Sequence, residues 1–162
     1  MNEVVSAAPV AVQGIEVEPR KQVSNYPEPY ASRMAGREKR VLGNLFGLKT
    51  FGVNLTRLFP GAVSSLHHRH SSQDEFIWIV QGEPTLVTDH GDTPFGPGMC
   101  AGFPAGGTAH HLENRTDTDV LYLEMGDRGK GDEVEYPLDD LKLIADADAG
   151  RLRFARKDGT FY

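Results

Sequence analysis

The feature that most constrains the fold of this chain is a pair of histidines followed closely by a short, wholly apolar run. His68 and His70 are separated by one residue, and on a β-strand such side chains point to the same face of the sheet. Residues 76–80 have the composition of a second strand. A turn through residues 71–74 would lay the two strands side by side and bring the Glu75 carboxylate to both imidazoles. Two nitrogens and one oxygen on a rigid sheet form part of a coordination sphere for a divalent transition metal.

Turn-forming residues divide the chain into short segments. It contains 18 glycines and 10 prolines in 162 residues, as many short strands joined by turns would require. Strand composition recurs, for example over residues 40–46 and 50–59, whereas residues 31–39 favour a short helix. Eight or more strands with so little helix predict an all-β fold, an antiparallel jelly-roll barrel in a single domain with a buried core.

A second histidine pair follows a turn rich in proline and glycine, at positions 110 and 111. Together, the two histidine segments resemble the paired motifs of the cupin superfamily. The first motif is matched by Gly61, His68, His70, Glu75 and Gly82, and the second by Gly98, Pro104, Gly106, His110 and Asn114. The resemblance covers roughly residues 50–127. It implies that the barrel is a double-stranded β-helix.

The resemblance also implies one bound divalent transition metal ion, with the four ligands His68, His70, Glu75 and His110. Nitrogen ligands argue against magnesium or calcium, and the absence of a thiolate argues against a closed structural zinc site. Iron, manganese, nickel, copper and zinc all remain open, because ligand type does not separate them. By strand parity, His67, Arg69 and His111 lie outside the ligand set, and Asn114 orients His110.

The chain divides into three predicted segments. Residues 1–38 form an irregular N-terminal arm, partly disordered, because its prolines forbid a long helix. Residues 39–128 form the barrel. Residues 129–162 form a C-terminal extension that packs on the barrel.

The strand of residues 76–80 is apolar on both faces, which predicts a covered outer surface. If Glu75 points toward the metal, Phe76, Trp78 and Val80 point away from it. A barrel wall with a large aromatic on its outer face needs cover from the N-terminal arm or a second subunit. We expect a homodimer with Trp78 at or near the interface.

Charge and composition limit the partners. The formal net charge of −6 argues against nucleic acid or an anionic membrane as a partner. No apolar run approaches a membrane span, and the first residues lack the features of a signal peptide. The single cysteine, Cys100, forms no internal disulfide and is expected to fill the core. We therefore expect a cytoplasmic protein that binds a small molecule.

Three classes of function fit a mixed histidine and glutamate site. The preferred one is a metal-dependent isomerase or epimerase acting on a sugar or sugar phosphate, as in the cupin-type sugar-phosphate isomerases that the motifs resemble. The alternatives are an iron- or copper-dependent dioxygenase and a non-catalytic, small-molecule-binding cupin. A phosphorylated substrate needs a local cation in this acidic protein. Arg57, just ahead of the first motif, is the best-placed candidate, and the alternative, which the sequence favours slightly, is that Arg57 is a surface strand residue.

Overall fold

The computed structural model describes residues 9–146 and 149–162, so residues 1–8, part of the arm predicted to be disordered, lie outside the described residues. Short strands dominate what is described. Besides two 3-10 helices, Gly14–Glu16 and Ala31–Met34, the elements in chain order are β1 (Arg37–Arg40), α1 (Leu42–Leu45), β2 (Phe51–Leu58), β3 (Arg69–His70), β4 (Glu75–Gln81), β5 (Thr85–Thr88), β6 (Gly91–Pro94), β7 (Cys100–Phe103), β8 (His110–Glu113), β9 (Val120–Asp127), β10 (Val134–Tyr136), β11 (Leu141–Asp146) and β12 (Arg151–Ala155).

These strands form three antiparallel sheets. The largest has the order β1-β2-β9-β4-β7, a second has the order β6-β5-β8, and a third has the order β12-β11-β10-β3. An isolated bridge between His68 and His110 connects the β3 segment to β8 and so links the second and third sheets. The predicted all-β antiparallel barrel is confirmed. No described helix has the length and hydrophobicity that crossing a membrane requires.

Strand β4 shows the alternation that its sequence predicts. Ile77 and Ile79 are buried in the barrel core, whereas Phe76, Trp78 and Val80 are 37%, 43% and 45% exposed. The core around the two isoleucines is completed by residues from six other parts of the chain: Leu58, Ala62, Leu86, Phe95, Phe103, Leu112, Val120 and Tyr122. The inner face of β4 therefore faces the site, with Glu75 at its first position.

Two local predictions before β2 are wrong. The helix predicted over residues 31–39 is one 3-10 turn, after which the chain becomes strand β1. The strand predicted over residues 40–46 is instead mostly helix α1. Tertiary contacts override the local sequence preference in both segments. Strand β1 forms because residues 37–40 pair with β2 at the edge of the large sheet. Helix α1 packs so closely on β2 that a Cβ at Gly43 would lie 2.9 Å from the Val53 nitrogen.

The N-terminal and C-terminal segments pack on each other in a second apolar cluster. The Tyr26 ring contacts the rings of Tyr136 and Phe154 edge to face, each at 5.6 Å between centroids. The hydroxyls of Tyr30 and Tyr162 lie 3.2 Å apart. Strand β10 also pairs with β3, which carries the predicted metal ligand His70. Both segments therefore help to build the walls around the site. The predicted boundary after residue 38 falls within β1.

Candidate metal centre

The structure brings all four predicted ligands to one place. Glu75 begins β4, His110 begins β8, and His68 and His70 lie on the β3 segment. The Oε2 atom of Glu75 is 3.1 Å from Nε2 of His110, 3.3 Å from Nε2 of His68 and 3.5 Å from Nε2 of His70. The ligand atoms of His68, His70 and Glu75 all lie within 4.8 Å of one another. The side chains are thus arranged as a metal site would require, while metal binding itself stays a prediction.

The outward-facing nitrogen of each imidazole lies beside an oxygen acceptor. Nδ1 of His70 is 2.5 Å from Oδ2 of Asp132, and Nδ1 of His68 is 3.0 Å from the Leu66 carbonyl oxygen. Nδ1 of His110 is 3.4 Å from the Thr108 carbonyl oxygen. An Nδ1–H that donates to such an oxygen leaves the Nε2 lone pair free for a metal, and it also fixes the orientation of the ring.

The buried Oε2 atom of Glu75 is a second sign that this donor set fits a metal. It has no hydrogen bond of acceptable geometry among the described residues, although three imidazole nitrogens surround it. A buried carboxylate oxygen without a partner is costly. Three nitrogens and one oxygen facing a common point suit a divalent transition metal that keeps positions open for substrate.

The electrostatics of the cluster leave most of its members ready to bind a cation. Burial alone would raise the pKa of Glu75, but the close imidazoles of His110, His68 and His70 hold that pKa far below its usual range. Burial opposes charge on His68, but the attraction of the Glu75 carboxylate prevails, so the pKa of His68 is raised. Burial lowers the pKa of His110. Glu75 is therefore ionised and His110 neutral at neutral pH.

The cluster lines a cavity of about 250 Å³ inside the barrel. The cavity wall also carries side chains outside the predicted ligand set: Arg20, Arg37, Lys39, Tyr122, Glu124 and Tyr136. Burial raises the pKa of Tyr122 well above its usual value, so its hydroxyl keeps its proton. That hydroxyl has no hydrogen-bond partner among the described residues. The cavity thus combines the predicted metal ligands with cations, a carboxylate and phenols.

Arg57, the candidate phosphate-binding residue, does not line the cavity and is a surface strand residue. Thr56 is fully buried on the inner face of β2, so Arg57, the next residue, points outward. Its Nε lies 3.8 Å from Asp119 Oδ2, and its guanidinium lies over the Phe59 ring. In contrast, Arg37 and Lys39 are paired with the inward-facing residues Leu58 and Thr56. Their role was missed because residues 31–39 had been expected to form a helix.

Asn114 does not orient His110 as predicted. Its Nδ2 donates to the carbonyl oxygens of Leu58 at 3.0 Å and Thr118 at 2.8 Å, and its Oδ1 accepts from the Thr116 nitrogen. Asn114 therefore holds the turn between β8 and β9 against the end of β2. The side chain that positions a ligand is Asp132, which lies 62 residues after His70 and which no local pattern indicates.

His67 and His111 lie outside the ligand set, in agreement with their strand parity. Their Nδ1 atoms are 3.1 Å apart on the other side of the sheet. Nε2 of His67 is 2.9 Å from Asp89 Oδ1, and Nε2 of His111 is 2.9 Å from Glu113 Oε1. This row of two buried histidines between two partly exposed carboxylates joins the end of β5 and β8 to the β3 segment behind the predicted metal site.

Comparison with known proteins relates both the fold and the motifs to one family. A model of the cupin domain matches residues 54–126. A sugar phosphate isomerase of the cupin superfamily from Silicibacter pomeroyi has a similar structure, with a TM-score of 0.86 and 41% sequence identity. The match covers 94% of this chain and 96% of that protein.

Two further structures are more distant. A protein from Acidithiobacillus ferrooxidans, provisionally assigned as a sugar phosphate isomerase, has a TM-score of 0.70 and 25% identity over 87% of this chain and 96% of its own. A polyketide cyclase from Streptomyces resistomycificus has a TM-score of 0.61 and 19% identity, over 74% of this chain and 79% of its own, and shares the fold alone. No curated protein sequence matches this chain significantly.

Proposed function

This chain belongs to the cupin superfamily, and on that premise we propose that it is a metal-dependent isomerase or epimerase acting on a sugar or sugar phosphate. The observation that carries the proposal is the convergence of His68, His70, Glu75 and His110 on the wall of one cavity. Its likeness over nearly the whole chain to the Silicibacter pomeroyi protein supports the substrate class. The metal would be one divalent ion of iron, manganese, nickel, copper or zinc.

The metal ligands would hold a cation that polarises neighbouring hydroxyl and carbonyl oxygens of the sugar. Aldose–ketose isomerisation then needs a base that takes a proton from the carbon beside the carbonyl and returns it to the adjacent carbon. Glu124 lines the cavity, pairs with Lys39 and accepts a hydrogen bond from Thr56 Oγ1 at 3.3 Å. We assign this proton transfer to Glu124. The unpartnered hydroxyl of Tyr122 would move the proton between the two substrate oxygens.

The test starts with metal analysis of protein purified without chelator or nickel resin. Metal-loaded protein is then incubated with aldose and ketose phosphates in deuterium oxide, and NMR measures both interconversion and deuterium incorporation at carbon. We expect both, and we expect them to survive replacement of the native ion by zinc or manganese. Glu124→Gln should keep the metal and lower the rate by about 100-fold or more, as removal of a general base does.

An oxygen-uptake assay with a panel of phenols, diketones and thiols separates the isomerase from the dioxygenase alternative. Oxygen consumption that requires iron or copper, with no binding of sugars or their phosphates, would overturn the proposed function. Binding of a sugar phosphate without interconversion or deuterium incorporation would instead favour a non-catalytic binding protein.

A further inference from the structure

Two arginines line the cavity of the predicted metal ligands without a carboxylate partner in an ion pair. Arg37 is on β1 and is only 7% exposed, and Arg20 comes from the N-terminal arm. Both line the cavity that contains the ligand cluster. Within residues 9–146 and 149–162, neither guanidinium has a carboxylate oxygen within ion-pair distance.

The two guanidiniums are held together by main-chain carbonyl groups. One Nη atom of each arginine donates to the Val23 carbonyl oxygen, at 2.9 Å from Arg20 and 2.6 Å from Arg37. Arg37 also donates to the Ser64 carbonyl oxygen. The main chain at Arg20 is tied to β1, because its nitrogen donates to the Lys39 carbonyl oxygen at 2.9 Å. These contacts fix the positions of both side chains but supply no direct ion pair; the carboxylate charge of Glu124 acts on Arg20 from beyond ion-pair distance.

Each arginine also has an unused donor. The Nε atoms of Arg20 and Arg37 are both buried and have no hydrogen-bond partner among the described residues. Partial burial and the charge of Arg37 both lower the pKa of Arg20, as expected for two neighbouring cations. Buried like charges with free donors are unfavourable unless an anion binds between them.

We propose that Arg20 and Arg37 form an anion subsite, which binds the phosphate group of a sugar phosphate whose sugar reaches the metal ligands. The planar guanidinium suits a phosphate because its donors match two phosphate oxygens at once. Both the arginines and the metal ligands line the same cavity, so one small ligand can contact both groups. This assignment rests on the proposed function for the class of substrate, and it places the specificity for phosphate in the N-terminal arm and β1.

The other candidate cations are already engaged. Lys39 forms an ion pair with Glu124, so its charge is compensated within the cavity. Arg57 points outward and lies near Asp119. Arg57 therefore serves as a matched control: it is an arginine of the neighbouring strand β2 that does not line the cavity.

Calorimetric titration of the metal-loaded full chain tests the subsite without requiring turnover. The probes are glucitol 6-phosphate, which has no carbonyl group and cannot be isomerised, and glucitol, which lacks the phosphate. The variants are Arg20→Gln, Arg37→Lys and the control Arg57→Gln. Arg20→Gln retains a donor for the Val23 carbonyl oxygen but loses the charge, and Arg37→Lys retains the charge but loses the forked geometry.

We expect Arg20→Gln and Arg37→Lys each to weaken glucitol 6-phosphate binding by about 10- to 100-fold, the usual effect of losing a charge-assisted hydrogen bond. Arg57→Gln should bind it as the wild type does. Glucitol binding should be weak and equal in all four proteins. If the arginines only hold the arm in place, their variants would weaken glucitol and its phosphate by the same factor, and the subsite would be wrong.

The subsite and the proposed function can fail separately. Tight glucitol 6-phosphate binding that is lost in the arginine variants, with no isomerase activity on any sugar phosphate, would support the subsite and overturn the isomerase. Isomerisation of a sugar phosphate with the same KM in the wild type and in Arg20→Gln would support the isomerase and overturn the subsite. Tighter binding of glucuronate than of glucitol 6-phosphate would overturn the assignment to phosphate.

Discussion

At the scale of single residues, the predicted metal site depends on contacts behind the ligands as much as on the ligands themselves. Asp132 is 4% exposed and uses both of its carboxylate oxygens. Oδ2 is 2.5 Å from Nδ1 of His70, and Oδ1 accepts from the main-chain nitrogens of Ser72 and Gln73. One carboxylate thus orients a ligand and also holds the turn that carries the chain to Glu75.

Replacing Asp132 by Asn should weaken metal binding without emptying the site completely. The asparagine carbonyl can still accept from the two main-chain nitrogens, but its NH₂ group cannot accept the Nδ1 proton of His70. Loss of such a partner usually lowers metal affinity 10- to 100-fold. Competition with a chromophoric chelator measures the change.

His111→Ala is the control for these metal-binding measurements. Nε2 of His111 faces Glu113 rather than Glu75, so His111 lies outside the ligand set. This variant should keep wild-type metal affinity, whereas His110→Ala should lose the metal. Loss of metal in His111→Ala with retention in His110→Ala would show that the ligand on β8 has been assigned one residue out of register.

Metal affinity should rise with pH because one ligand must first lose a proton. In the metal-free protein the pKa of His68 is raised above 6.5 by Glu75, whereas the pKa of Glu75 and that of His110 are lowered. Below the raised pKa of His68, a metal ion must displace the His68 proton. Affinity should therefore increase about tenfold per pH unit until pH exceeds that pKa, and then level off.

Calorimetry at pH 6.5 in buffers of different ionisation enthalpy should show about one proton released per metal ion bound. Equal affinities at pH 6 and pH 8, with no proton release, would contradict this account of His68. Glu75→Gln removes the cause of the raised pKa, and any residual binding in this variant should depend less on pH.

At the scale of elements, β4 is constrained at both ends. It begins with the ligand Glu75 and ends in an irregular pairing with β9, where the register shifts between Ile79 and Gln81. Gly82 follows with a φ of +80°, and a Cβ there would lie 2.6 Å from the Asp119 carbonyl oxygen. Only glycine fits this close approach, which sets the start of β9 against the end of β4.

Gly82→Ala should therefore destabilise the protein much more than Gly98→Ala. Gly98 has nearly the same φ, +82°, but a Cβ there would meet no atom within 4 Å. The positive φ alone costs an alanine about 1–2 kcal/mol, which is the expected loss in free energy of unfolding for Gly98→Ala. Gly82→Ala should lose at least about 2 kcal/mol more, because main chain must move. Urea denaturation measures both variants, and equal losses would contradict the steric argument.

At the scale of the whole molecule, one apolar face of the large sheet is open. The N-terminal arm covers the part near β2, where Gly14 packs against Leu42 and Leu55. Phe76, Trp78 and Val80 on β4 remain 37–45% exposed. Cys100, expected to fill the core, is instead exposed and lies opposite Trp78 in the register of β4 and β7. A contiguous apolar face of this kind is typical of a protein interface.

We propose that a second copy of the chain covers this face. Light scattering should give twice the chain mass of 17.8 kDa. Trp78→Glu should give the monomer and should speed alkylation of Cys100, because its thiol would no longer be shielded. Leu138→Glu is the matched control: Leu138 is 74% exposed but lies in the turn between β10 and β11, so the dimer should persist. A monomeric wild type, or a dimer that tolerates Trp78→Glu, would contradict the proposed interface.

The sequence by itself determined the features that depend on neighbouring residues. Strand alternation has a period of two, so it placed His68 and His70 on one face and correctly put Trp78 on the outside of β4. The spacing of the two histidine segments and their glycines was enough to identify the family and the barrel. Each of these patterns is made of residues that lie a few positions apart. Tertiary contacts do not change which face of a strand such a residue occupies.

The tertiary structure alone decided which distant residues complete the site. Asp132 meets His70 because β10 pairs with β3, and Arg37 enters the cavity because β1 pairs with β2 in one register. Residues 31–39 had helical composition, yet the open edge of β2 turned their second half into a strand. Strand pairing joins segments far apart in the chain, and a shift of one residue reverses every side chain. Local patterns carry no information on that register, so the packing of the whole barrel was needed to show that Arg20 and Arg37, and not Arg57, line the cavity.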